Sequence, residues 1–114
     1  MLSTMSRDIP EEDWKVFRQL HPLALERFCE RVLSEIQGAS SSSGQSAHQR
    51  YLRIFEIVRD KNKDMAALFD NPRHSTARLQ LSLIHSHGLL MPEEIKRFSS
   101  QTQQRISALA DARI

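Results

Sequence analysis

The sequence predicts an all-α, single-domain bundle of five to six helices with a long central helix, and three observations support this fold class. Apolar residues recur at helical spacing along most of the 114 residues. No segment alternates apolar and polar residues as a strand does, and neither Asn-Gly nor Asp-Gly marks a hairpin turn. Ser-x-x-Gln and Asp-x-x-Glu capping boxes precede several of the periodic segments. A chain of this length forms one domain that buries about two-thirds of its unfolded surface.

The first predicted helix covers residues 9–20. Asp8 and Glu11 have the spacing of a capping box, which satisfies backbone N–H groups at a helix start. The helix is expected to end at His21, because the residue before Pro22 is disfavoured in the α region.

The second predicted helix covers residues 22–37, and Gly38 is expected to end it as a left-handed cap. One face is apolar and includes Cys29, which we interpret as a small buried hydrophobic residue. The expected surface ion pairs are Arg27 with Glu30 and Arg31 with Glu35. The residues assigned to the apolar face are Leu25, Phe28, Cys29, Val32, Leu33 and Ile36.

Residues 46–69 form the predicted central helix, which opens with a Ser-x-x-Gln capping box. Its apolar residues cover roughly half of the helix circumference, more than a helix resting on one neighbour needs. Such a helix must be covered from at least two sides, so we expect it to pack against residues 9–37 and 72–87. The apolar residues are Tyr51, Leu52, Ile54, Phe55, Ile57, Val58, Met65, Leu68 and Phe69.

The C-terminal third predicts a helix over residues 72–87, followed by a left-handed cap at Gly88. A short helix is expected after Pro92, because two carboxylates occupy its first turn. A last helix begins at about Ser100 and is anchored by Ile106 and Leu109.

We therefore expect a single helical domain over residues 8–114, with a flexible N-terminus at residues 1–7 and a flexible serine-rich loop at residues 38–46. The single cysteine excludes an internal disulfide and favours a reducing compartment. No apolar run has the length of a secretory signal or a membrane span. The expected location is the cytoplasm, with no membrane partner.

The histidines and carboxylates do not have the spacing of a metal or catalytic site. On a helix, His85 and His87 diverge by about 200°, and His74 and His85 are separated by about 16 Å. The acidic pairs at one-turn spacing alternate with basic residues on faces predicted to be solvated. We therefore expect no metal, no cofactor, no small-molecule ligand and no catalytic residue; an enzyme of unknown type is the least favoured alternative.

Charge is distributed unevenly, and this favours the first alternative, a nucleic-acid-binding accessory or regulatory protein that uses a basic C-terminal surface. Residues 1–45 carry five basic and seven acidic side chains, whereas residues 46–114 carry eleven and seven. A helix-turn-helix over residues 72–98 fits poorly, because Glu93 and Glu94 open its second helix. The candidate basic surface consists of Arg73, His74, Arg78, Lys96, Arg97 and Arg105.

The favoured hypothesis is a small non-enzymatic protein that acts by protein–protein interaction or self-association, with a protein partner or a homodimer. Several large apolar residues lie near helix ends and connections, where a lone bundle has difficulty covering them. The predicted association surface consists of Leu89, Leu90, Met91 and Phe98.

Overall fold

A computed structural model of the chain describes the backbone of residues 9–112 and the side chains of residues 9–107. Within this range the fold is all-α, as predicted, and contains no strand. The expected flexible segment at residues 1–7 and the anchor Leu109 lie outside the described side chains. The helices are α1 (Glu11–Ser40), α2 (Ala47–Phe69), α3 (Ala77–Ser86), α4 (Pro92–Ile95) and α5 (Ser100–Ala112).

The first two predicted helices are one continuous helix, so the predicted break at His21 is wrong. α1 runs through Pro22, and it also continues past Gly38 to Ser40. A proline in a helix interior costs about 3 kcal/mol. Burial of Leu20 and Ala24 on either side of Pro22 offsets that cost. The serine-rich segment expected at residues 38–46 is therefore reduced to a connection of residues 41–46.

α1 and α2 form an antiparallel hairpin. The predicted capping box at the start of α2 is confirmed: Ser46 Oγ accepts a hydrogen bond from the Gln49 backbone, and the Gln49 side chain accepts one from the Ser46 backbone. Residue numbers of pairs in contact across the hairpin add up to between 88 and 97, from Glu35 with Arg53 and Ser40 with Arg50 to Phe28 with Phe69. This range of sums defines which residues lie level with each other along the two helices.

α3 begins later than the predicted residue 72. Asn71, which precedes the predicted start, takes the left-handed backbone region with φ of 51° and does not have the extended conformation of an N-cap residue. A turn follows in which the Thr76 hydroxyl accepts from the Arg73 backbone N–H at 3.2 Å. At the other end, Gly88 has φ of 70°, which confirms the predicted left-handed cap.

The hydrophobic core lies at one end of the hairpin, where α3, α4 and α5 cover it. α2 is not its centre: its first half lies outside the core, and only the last turns contribute. The buried residues of the core are Ile9, Phe17, Leu20, Ala24, Phe28, Leu68, Phe69, Ala77, Leu81, Ile84, Leu89, Phe98 and Ile106.

The buried carboxylate of Asp13 joins the two ends of the described chain. It is 2% exposed and accepts hydrogen bonds from the Ser99 N–H at 2.8 Å, the Ser99 hydroxyl at 2.7 Å and the Thr102 hydroxyl at 2.6 Å. Ser99 and Thr102 lie at the start of α5, so a side chain of α1 caps the helix from outside. The predicted start of α5 at Ser100 is confirmed.

Arg27 and Arg31 hold the connection between α3 and α4 against α1, in place of the predicted pairs within α1. Arg27 donates to both carboxylate oxygens of Glu94 at 2.8 Å and to the Leu89 carbonyl at 2.9 Å. Arg31 donates to the carbonyls of His87 and Gly88 at the C-terminal end of α3. The Arg27 hydrogen bonds hold the pKa of the Glu94 carboxyl below its ordinary value, and a hydrogen bond from the Met91 backbone acts in the same direction.

Replacing Glu94 with glutamine is therefore expected to reduce the free energy of unfolding by about 1–2 kcal/mol at neutral pH. Since the folded pKa is depressed, the contribution of Glu94 is present above its unfolded pKa and is lost as the pH falls through the folded pKa. Urea denaturation over an acidic pH series should show the difference between wild type and Glu94→Gln shrinking toward low pH. Glu93→Gln is the control, because Glu93 is adjacent to Glu94 and is exposed. If the difference in stability between wild type and Glu94→Gln stays constant with pH, the ion pair of Glu94 with Arg27 is not its cause.

Candidate functional site

The half of the hairpin away from the core is an arm of two helices with no third layer. No residue from Cys29 to Glu56 is buried, although both helices are apolar there. The nearest buried residues are Phe28 on α1 and Ile57 on α2. We call residues 29–56 the arm. Since two packed helices leave much of each apolar sector open, the arm has apolar surface that its own fold does not cover.

This surface continues to the adjacent Val58 and is concentrated on one set of side chains, which we call the hairpin face. Four of them lie on α2 within a helical sector of about 120°, and one lies on α1. They are between 40% and 66% exposed, and they make up five of the eight exposed large hydrophobic residues in the described part of the chain. The hairpin face consists of Leu33, Tyr51, Leu52, Phe55 and Val58.

The α1 and α2 parts of the hairpin face lie level and on the same side of the hairpin. With pair sums of 88 to 97, Leu33 lies level with residues 55–64, a range that includes Phe55 and Val58. Leu33 diverges by about 200° from Arg31, which contacts the end of α3. Phe55 diverges by about 120° from Lys61, which lines a small cavity with His87. Both apolar side chains therefore point away from α3.

The exposure of this face corrects the expectation that α2 is covered from two sides. α1 covers one side, and the side that carries Tyr51 and Phe55 is open. The five side chains are 40% to 66% exposed, and an aromatic side chain has about 150–250 Å² of surface, so together they present on the order of 500 Å². This is the size of the largest apolar patch on a typical monomer, and such patches are often functional.

Charged residues border the hairpin face without covering it. The Arg59 guanidinium lies 5.9 Å from the centre of the Phe55 ring and 3.3 Å from the Asp60 carboxylate. Glu35 lies between Arg53 and Lys61, at 3.7 Å and 4.0 Å, and links α1 to α2. Of the residues in and around the face, Tyr51, Phe55 and Arg59 are of types enriched at protein–protein interfaces.

Comparison with known proteins adds no assignment to this geometry. No protein-family model, curated protein or solved structure matches the chain. The hairpin face is therefore a candidate site because of its own exposure, area and composition.

The association surface predicted from the sequence is corrected by the burial of its members. Leu89 and Phe98 belong to the hydrophobic core, and Leu90 is half-buried against it. Met91 alone is exposed, beside an open groove of ≈410 Å³ between α1 and the connection that follows α3. The predicted surface therefore reduces to Met91 and part of Leu90. Leu89 and Phe98 lie in the core because the chain turns back onto α1 after Gly88.

The predicted basic residues are spread over the turn before α3, α3 itself, the end of α4 and α5. His74 packs against the Trp14 ring, with 5.2 Å between centroids, and lies 3.5 Å from the Glu11 carboxylate. Arg97 donates to the Gln19 side chain of α1. The second helix of the helix-turn-helix interpretation is a single turn, α4. The full predicted set is Arg73, His74, Arg78, Lys96, Arg97 and Arg105, and all but His74 and Arg78 are exposed.

Neither a cluster of metal-ligating side chains nor a membrane-spanning helix occurs among the described residues. No group of three or more His, Cys, Asp or Glu residues comes together there in a form that could hold a metal ion. None of the described helices is long and apolar enough to cross a bilayer. Cys29, expected to be buried, is half-buried at the base of the arm.

Proposed function

We propose that this protein is a non-enzymatic interaction protein that forms a homodimer through the hairpin face. The observation that carries the proposal is the open side of α2: Tyr51, Leu52, Phe55 and Val58 are exposed on a helix whose apolar sector requires cover from two sides. The hairpin face of a second copy supplies the missing cover. Two hairpins packed in this way form a four-helix arrangement.

The size of the face supports a second copy as its occupant. A standard interface buries about 800 Å² per partner, of which about 57% is non-polar, so each side needs about 450 Å² of apolar surface. The hairpin face presents on the order of 500 Å². A symmetric dimer uses the same patch on both subunits, and that patch must be self-complementary. An apolar patch with few charges at its centre meets this requirement.

The proposed dimer leaves the core end of each hairpin free, so the assembly presents two copies of every surface outside the arm. This arrangement suits an accessory protein that binds a larger partner at two points. We place the protein in the cytoplasm, because a lone half-buried cysteine is compatible with a reducing compartment.

Sedimentation of the purified protein over a micromolar concentration series tests the proposal. Wild type is expected to be dimeric at high micromolar concentration. Phe55→Asp is expected to raise the dissociation constant about 100-fold, because each of the two subunits loses a central aromatic group and gains a charge that the interface must desolvate. Since Phe55 is 55% exposed in the protomer, the variant is expected to remain folded.

Ala67→Asp is the matched control, because it places the same side chain at an exposed position of α2 outside the hairpin face. This variant should dimerise like wild type. Wild type that sediments as a monomer at high micromolar concentration, or equal weakening by Ala67→Asp and Phe55→Asp, would overturn the proposal. Circular dichroism of each variant separates loss of association from loss of folding.

A further inference from the structure

The pattern of side chains on α2 defines how two hairpin faces meet. Resting on the proposed dimer, we infer that the two copies of α2 pack antiparallel across a two-fold axis that passes beside Phe55. In such a pair, residues whose numbers add up to 110 face each other.

This register matches every exposed apolar residue of α2 with a suitable partner. Phe55 meets the partner's Phe55 on the axis, where two aromatic rings pack favourably. Leu52 meets the partner's Val58, and Val58 meets the partner's Leu52, so both aliphatic residues are covered. Tyr51 meets the partner's Arg59, which places a guanidinium beside an aromatic ring. Arg59 already lies 5.9 Å from the ring centre of Phe55 in its own chain, so its side chain is directed toward the face.

The charges at the border are compatible with the same register. The two copies of Arg59 lie eight residues apart along the pair, about 12 Å at 1.5 Å per residue. At that separation between exposed groups, salt screens most of their repulsion. Each guanidinium instead meets an uncharged aromatic residue. No pair of like charges is forced together at the centre of the face.

Other pairings of the same helices are less favourable. A parallel pair in register places Arg59 directly against the partner's Arg59 and Glu56 against the partner's Glu56, and like charges in contact oppose association. An antiparallel pair shifted by one turn toward the N-terminus, with its axis near Tyr51, places Phe55 against the partner's His48. That shift leaves Val58 uncovered beyond the end of the partner's helix. The register centred on Phe55 avoids both defects.

Cysteine cross-linking tests the register without removing any residue of the hairpin face. His48 and Asn62 are both exposed, lie on the same side of α2 as Phe55, and have numbers that add up to 110. In a Cys29→Ser background, the double variant His48→Cys/Asn62→Cys is expected to form a disulfide-linked dimer on mild oxidation. The two positions are about 21 Å apart within one helix, so a disulfide cannot form within the chain.

The single variants His48→Cys and Asn62→Cys are the matched controls and should remain uncross-linked, because each position lies far from its own copy in this register. A spin label on the His48→Cys variant should report a separation of about 20–25 Å between copies, against less than about 15 Å for a parallel pair. Efficient cross-linking of either single variant, or a short spin-label distance, overturns the register. If these results occur while sedimentation still shows a dimer, the proposed function stands and only the register fails. A monomer by sedimentation overturns both.

Discussion

Replacing Asp13 with alanine is expected to lower the free energy of unfolding by about 3 kcal/mol. The carboxylate is buried and accepts hydrogen bonds from the Ser99 N–H and from the hydroxyls of Ser99 and Thr102. Without it, the buried Thr102 hydroxyl loses its partner, and leaving such a group unpaired costs about 1–3 kcal/mol. The two Ser99 donors, which belong to an exposed residue, lose their acceptor as well. The N-terminus of α5 also loses its cap, a loss of about 0.5–2 kcal/mol. The effects overlap because they involve the same groups, so they are not additive.

Urea denaturation measures the effect, and two further variants define its origin. Asp13→Asn keeps the side-chain shape and one acceptor oxygen. Its free energy of unfolding should therefore lie between those of wild type and Asp13→Ala. Glu12→Ala changes the preceding carboxylate, whose side chain is 88% exposed, and should alter stability by less than about 0.5 kcal/mol. Equal losses for Glu12→Ala and Asp13→Ala would show that Asp13 acts only through its charge in the first turn of α1.

Helical periodicity predicted the fold class because it is a local property of the chain. The helix over residues 46–69 and its capping box followed directly from spacing and from the Ser46 and Gln49 pair. The same pattern does not reveal what lies against each face. Leu33 and Phe55 belong to apolar sectors like those of buried residues, yet they are 63% and 55% exposed. The width of the α2 sector indicated that cover is needed on two sides, but not that a second chain could provide it.

Long-range contacts explain the remaining differences. Pro22 predicts a helix end from local sterics, but burial of neighbouring α1 residues outweighs that preference. Arg27 has Glu30 one turn away, and it instead binds Glu94, because a bidentate pair in a partly buried setting is stronger than an exposed pair within a helix. Asp13 carried no sequence signal for its role, since Ser99 and Thr102 are more than 80 residues away.

The two faces of α1 should respond differently to truncation. Phe28 is 5% exposed and packs against Phe69 at 5.8 Å between ring centres. Phe28→Ala should therefore lower the free energy of unfolding by about 4 kcal/mol, through lost burial and the cavity that remains. Leu33 lies just over one turn further along the same helix but is 63% exposed. Leu33→Ala should change protomer stability by less than about 0.5 kcal/mol.

The two substitutions should affect association in the opposite order, with the larger effect at Leu33. Leu33→Ala removes apolar area from both sides of the proposed interface, so the dissociation constant should rise about tenfold. The folded fraction of the Phe28→Ala variant should associate as wild type does. Denaturation must be measured below the dissociation constant, because dimerisation adds to apparent stability. A loss of protomer stability on Leu33→Ala comparable with that of Phe28→Ala would mean that the arm already buries Leu33 within one chain. Leu33 can contribute to the proposed interface only if the protomer leaves it exposed, so this comparison tests the packing of the arm independently of any binding measurement.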